Sequence, residues 1–229
     1  MAVQQGAQKD AIVPLLLLLS ATTGLIDAVS VMGLGKVFTA NMTGNVAFLG
    51  FAVAGAPGFS WPLYVVALLF FAGGAGLGGW MGKTHAPHSR RCWLLWAGTI
   101  EAILLGLAAA CALVGGIPLG RTALLAAIAF TATAMGCRNA TVRQLKVADL
   151  TTTVLTMTIT GLAADFSAAG GGNNSNIRRR LGAVLAILIG ALLGGLLVLH
   201  AGLALPLVLA GLITLGASVV LACDQPIGA

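Results

Sequence analysis

The chain has 229 residues, 59% of them hydrophobic and 8% charged, with a mean hydropathy of +1.01. Soluble domains carry about 25% charged and 45–50% apolar residues, and disordered chains are more polar still, so both classes are excluded. The net charge of +6 sits in short gaps between apolar runs, which points to membrane topology and away from nucleic acid.

A membrane-crossing helix needs about 20 apolar residues. Candidate runs lie at 12–33, 38–55, 62–80, 93–115, 121–141, 150–166, 181–200 and 203–222. The first follows Lys9 and Asp10, and no clean small-x-small cleavage site comes after it. It reads as a retained span rather than a signal peptide. Trp61, Trp80, Trp93 and Trp96 fall at run ends, where interfacial aromatic belts belong.

Two runs are unlike the rest. The second carries Thr39, Asn41, Thr43, Gly44 and Asn45 in its first half. The sixth carries Thr151, Thr152, Thr153, Thr156, Thr158 and Thr160, then Gly161. If both cross the membrane, the basic residues divide with no bias. If each enters and leaves on one side, Lys9, Lys83, Arg90, Arg91, Arg138, Arg143, Lys146 and Arg178 to Arg180 share a face. Only Lys36 and Arg121 then lie opposite. The positive-inside rule selects this second arrangement and predicts both termini in the cytoplasm.

The unusual runs also occupy matching places. A shift of 112 lays Gly24 on Gly136, Asp27 on Asn139, Ala28 on Ala140 and Thr39 on Thr151. A shift of 116 lays Gly74, Gly78 and Gly79 on Gly190, Gly194 and Gly195. The expectation is one membrane domain, 1–229, with repeat halves 11–116 and 117–223. Each half crosses three times, so the second inserts upside down. The fold class is therefore all-α: a polytopic transmembrane bundle of six spanning helices plus two re-entrant or broken polar helices, as an inverted 3+3 repeat. The glycine faces permit close helix approach, within the chain or in a homodimer.

Hydroxyls and amides in such segments hydrogen-bond a small polar solute, or else satisfy the broken backbone. The candidate pathway or substrate-binding residues are Asp27, Thr39, Asn41, Thr43, Asn45, Asn139, Thr151, Thr152, Thr153 and Thr156. An intramembrane carboxylate is costly and faces a partner or water. Asp27, with Lys36 or the Asn/Thr cluster as partner, and Glu101 are thus candidates for proton coupling. A buried hydrogen-bond role is the first expectation for Glu101, which has no evident repeat counterpart. Arg138 is expected to snorkel to the cytoplasmic surface, with anion binding as the alternative.

Cys92, Cys111, Cys137 and Cys223 form no Cys-x-x-Cys pair and read as packing residues. His85 and His88 share a loop without a third ligand, so no metal and no cofactor is expected. No nucleophile–His–acid set or phosphate loop is present, and the chain is not expected to be an enzyme.

These residues resemble the YoaK family of small bacterial integral membrane proteins of uncharacterised function. The resemblance rests on Thr23-Gly24, Asp27-Ala28-x-Ser30, Gly33, Phe38 and Ala40-Asn41-Met42-Thr43-Gly44-Asn45. It continues through Gly136, Asn139-Ala140 and Asp149-Leu150-Thr151-Thr152-Thr153 to Gly161. It implies a six-helix inner-membrane protein and supplies no substrate or cofactor. It also implies a neutral amide where Arg138 stands, a departure that counts against an anion site there.

The functional expectation is a secondary transporter or permeation pathway for a small polar solute in the bacterial inner (cytoplasmic) membrane. Its partners are the lipid bilayer and that solute. One rival is a non-transporting scaffold whose polar runs only pack. Another is a membrane-embedded enzyme or sensor, which would gather Glu101, His200 and Asp27 in one cavity.

Overall fold

The computed structural model describes residues 2–116, 119–145, 156, 159–160 and 177–223, with α1 described at side-chain level from Pro14 onward. Among the described residues there are seven α-helices and no strand: α1 (Ala2–Gly33), α2 (Met42–Val53), α3 (Trp61–His85), α4 (Arg90–Val114), α5 (Arg121–Leu145), α6 (Ile177–Ala201) and α7 (Ala204–Cys223). Six of them are long and apolar enough to cross a membrane, and the protein is a multi-pass membrane protein. A 25-residue helix is about 37 Å long, more than the hydrocarbon core requires. The 12 residues of α2 reach about 18 Å and cannot cross.

Three stacked apolar clusters give each helix its direction. Leu16 and Leu19 of α1, Met81 of α3, Trp93 and Leu94 of α4, Val142 of α5, Ala183 of α6 and Leu221 of α7 meet at one end. Leu34, Tyr64, Ala67 and Ile128 meet at the other, with Cys111 and Leu203 against them. The crossing helices therefore alternate in chain order. α1 finishes and α3 begins at the second end, so α2 returns to the side from which its strand of chain came. Both the start of α1 and the finish of α7 belong to the first end. Lys83, Arg90, Arg91, Arg143, Arg179 and Arg180 lie toward that same end, hereafter the basic end, while Lys36 and Arg121 lie toward the other.

Close packing runs through small residues. α3 packs along α5, α6 along α1, and α4 along α7. At Gly24 a β-carbon would overlap the Ile187 carbonyl and Ala191 nitrogen. At Gly136, 112 positions later, it would overlap the Phe71 carbonyl and Ala75 nitrogen, and Phe71 and Ala75 precede Ile187 and Ala191 by 116. The same relation holds for Gly78 and Gly194, where a β-carbon would stand 2.8 Å from the Cys137 carbonyl and 2.8 Å from the Leu25 carbonyl respectively. Gly74 and Gly190 likewise face the carbonyls of Thr133 and Ala21. These glycines serve contacts inside the chain. Gly79 has open space and Gly195 only the Met32 sulfur nearby.

The outer face is apolar. Leu185, Leu188, Leu192, Leu196 and Leu199 of α6 are exposed, as a lipid-facing stripe requires. Trp61, Trp80 and Trp96 are exposed near helix ends, but Trp93 is buried in the basic-end cluster. Its expected place in an aromatic belt is corrected: at the first turn of α4 it packs into the bundle, near Met81 of α3 and Thr141 of α5, rather than outward.

Candidate functional site

The site is built around the chain between α1 and α3. Ser30 and Leu34 close the last turn of α1. Gly35 and Lys36 then adopt left-handed backbone, with φ of 81° and 61°. That conformation is free for glycine and costs about 1 kcal/mol or more for lysine. The pair reverses the chain. Residues 37–41 run back toward the bundle centre without helical hydrogen bonds, and α2 then climbs outward again.

Non-helical backbone inside a bilayer must be satisfied by protein or water. Asn45 supplies the protein part. Its side chain is fully buried; Oδ1 accepts from the Phe38 N–H at 2.9 Å, and Nδ2 donates to the Phe38 carbonyl. Asn41 caps α2, its Oδ1 accepting from the Thr43 N–H at 3.3 Å. Gly44 leaves room for the Phe38 ring. Phe48, Phe51 and Phe59 pack at centroid spacings of 5.3 to 6.1 Å and anchor the outer end of α2. Asn-Met-Thr-Gly-Asn is thus a helix-start device as well as a polar cluster.

The N-terminus of α2 forms the inner wall of a cavity of about 990 Å³. Ala40, Asn41, Met42 and Thr43 line it from the hairpin, Phe71, Ala75 and Gly79 from the middle of α3, and Asn139 and Ala140 from α5. Lys83, Arg143 and Gln144 line it toward the basic end, and both cations are exposed. The Gln144 side-chain amide fixes that rim: its Nε2 donates to the Gly79 carbonyl at 3.0 Å. The cavity therefore leads from the basic end to a half-helix N-terminus, whose positive dipole end favours electron-rich groups.

A second polar centre lies in the core. Arg138, 3% exposed, donates from Nε to Glu101 Oε1 at 2.8 Å and again from Nη2. Nη2 also donates to Thr214 Oγ1 at 2.8 Å, and Nη1 to the Leu19 carbonyl and Thr23 Oγ1 at 3.2 Å. One guanidinium thus ties α5 to α1, α4 and α7. The expected snorkelling of Arg138 to the surface is corrected. Its helix face looks onto α1 and α4, and a buried carboxylate within reach outweighs exposure at the bundle end. Glu101 has the buried hydrogen-bonded role expected of it. Beside it, Gly98 packs on Thr214 and Ser218, and Gly211 packs on Ala102 and Leu105.

Asp27 follows Thr23 by one turn on α1. The Arg138 charge acts on its carboxylate, while Oδ1 is buried without a hydrogen-bond partner among the described residues. Lys36, one of its expected partners, instead lies over the Phe59 ring, 5.7 Å from its centroid. Thr39 is fully buried, and its hydroxyl is also unpartnered among the described residues.

The structure brings Asn41, Thr43 and Asn139 together around the cavity and places Asn45 behind it as a backbone clamp. Asp27 and Thr39 sit beside the returning chain. Thr156 is exposed, and Thr151, Thr152 and Thr153 lie outside the described residues. His200 is exposed at the end of α6 and does not join Glu101. Lys83, Arg143 and Gln144 were missed as lining residues because they read only as loop charges and loop polarity. Their signal was positional, since α3 and α5 reach the same end together.

A family model described as "Protein of unknown function (DUF1275)" matches residues 15–220. The chain is 30% identical over 161 residues to the UPF0700 transmembrane protein YoaK of Bacillus subtilis (strain 168). That match covers 67% of this chain and 66% of the relative, just under two thirds of its length. No solved structure matches.

Proposed function

The chain belongs to the DUF1275 family, and we propose that it is a secondary transporter or permeation pathway for a small polar solute in the bacterial inner membrane. The observation that carries this reading is the cavity of about 990 Å³ that ends on the α2 N-terminus. A packing element would bury its first turn against protein; here Asn41, Met42 and Thr43 line a space large enough for a solute. Asn41, Thr43 and Asn139 contact the solute in this reading, and Asp27 couples its movement to an ion.

The halves 11–116 and 117–223 form an inverted repeat in the same reading. Support comes from the opposite directions of corresponding helices and the glycine contacts repeated at offsets of 112 and 116. The basic end with both termini is the cytoplasmic one, as the excess of Lys and Arg there favours. The cavity is then the inward-facing vestibule, and rocking of one half against the other would open the opposite side.

Purified protein in liposomes tests the proposal. Light scattering follows volume recovery after challenge with urea, glycerol, glycine or acetate. At least one solute should enter faster than in empty liposomes, and Asn41→Leu should abolish the gain. Entry at the empty-liposome rate for every small polar solute screened, extended to uptake of labelled solutes, would reject it.

A further inference from the structure

Among the described residues, the core contains one guanidinium and two carboxylates. Arg138 spends its hydrogen bonds on Glu101, Thr214, Thr23 and the Leu19 carbonyl, and none on Asp27. Glu101 is therefore paired directly with Arg138, while Asp27 feels that charge only at longer range. An uncompensated carboxylate in a bilayer interior is neutralised by whatever cation can reach it.

The oxygens around Asp27 suit that cation. Most buried hydroxyls among the described residues donate to a carbonyl of their own helix: Ser20 to Leu16, Thr22 and Thr23 to Leu19, Thr131 to Ala127, Thr141 to Cys137. Thr39 has no such carbonyl, because it lies in the non-helical bend before α2, and its hydroxyl is left over. Ala40, the next residue, belongs to the same buried cluster as Leu25, Ile26 and Val29 of α1, so the Thr39 segment lies beside the turn that carries Asp27. Two buried, unpartnered oxygens thus occur where a broken segment crosses an intact helix. Membrane transporters place small cations at such breaks.

We infer that Asp27 and Thr39 hold one monovalent cation, H⁺ or Na⁺, where residues 37–41 cross α1. This rests on the coupling role proposed for Asp27 and names its ion; Glu101 takes no part. The other groups facing Asp27 are few. α5 contributes Arg138 and, through it, α4 contributes Glu101. α7 contributes the uncharged Thr214. α6 meets α1 through Gly190, Ala191 and Gly194, its described ionisable groups being at its ends.

The test reads binding, so it can fail while transport stands. Thermal unfolding of the purified full chain is compared in NaCl and choline chloride of equal ionic strength, at pH 6 and pH 8.5. If the ion is Na⁺, it raises Tm by about 5 °C at pH 8.5, less at pH 6 where protons compete, and Asp27→Asn abolishes the response. Thr39→Val then weakens the apparent Na⁺ affinity about tenfold. If the ion is H⁺, Na⁺ has no effect, and the wild type loses Tm relative to Asp27→Asn as pH rises, because a proton held only by the folded state is lost. Identical responses of wild type and Asp27→Asn to both ions overturn the inference. Should Asp27→Asn not fold, infrared spectra of ¹³C-aspartate-labelled wild type decide. A carboxyl band that responds to Na⁺ or to this pH step supports the site, and bands insensitive to both overturn it.

Discussion

Arg138 Nε lies 2.8 Å from Glu101 Oε1, at 3% and 4% exposure, and joins two helices that belong to different halves of the chain. Removing one partner leaves a buried charge unpaired, at a cost of about 3–5 kcal/mol. Glu101→Leu and Arg138→Met should each lower stability by that amount in reversible unfolding. The double variant should recover most of the loss, since an apolar pair of similar volume replaces both charges. Additive losses would show that the two residues are not energetically coupled.

The glycine contacts predict matched penalties at distant positions. Gly24→Val and Gly136→Val each push a side chain into the backbone of α6 or α3 and should destabilise by about 1–3 kcal/mol or more. Gly73→Ala and Gly76→Ala, where nothing lies within 4 Å, should leave thermal stability unchanged or slightly raised. Equal tolerance at all four positions would contradict the packing.

Much of this architecture is legible in the sequence, because hydropathy encodes the spans and basic residues mark one set of loops. The polar run around Asn41 is legible too, since few helices begin inside an apolar stretch. What the sequence hides is orientation about the helix axis. Nothing in the string Gly-Cys-Arg-Asn says that Arg138 turns inward; the one signal is charge, an internal Glu in one run and an Arg in another. Asn45 is hidden for a related reason. Its bonds to Phe38 depend on a reversal at Gly35 and Lys36 that brings residues seven apart into contact.

Asn45 accordingly acts first as a clamp. Asn45→Ala strands a buried N–H and a buried C=O of Phe38 at about 1–3 kcal/mol each, so the segment 37–45 should loosen. Amide hydrogen exchange should accelerate at Phe38 and through the first turn of α2, while α4 and α7 keep their protection. Unchanged exchange in the hairpin would remove Asn45 from its structural role.

The most direct measurement concerns the depth and facing of the α2 N-terminus. Thr43→Cys and Ala56→Cys are placed singly in a chain whose exposed Cys92 and Cys223 are changed to serine, and a membrane-impermeant maleimide is applied to vesicles of each orientation. The half-helix account predicts labelling of Thr43→Cys only from the side that carries the chain termini, through the cavity, and of Ala56→Cys only from the opposite side. Labelling of both from the same side, or of Thr43→Cys from neither, would contradict it.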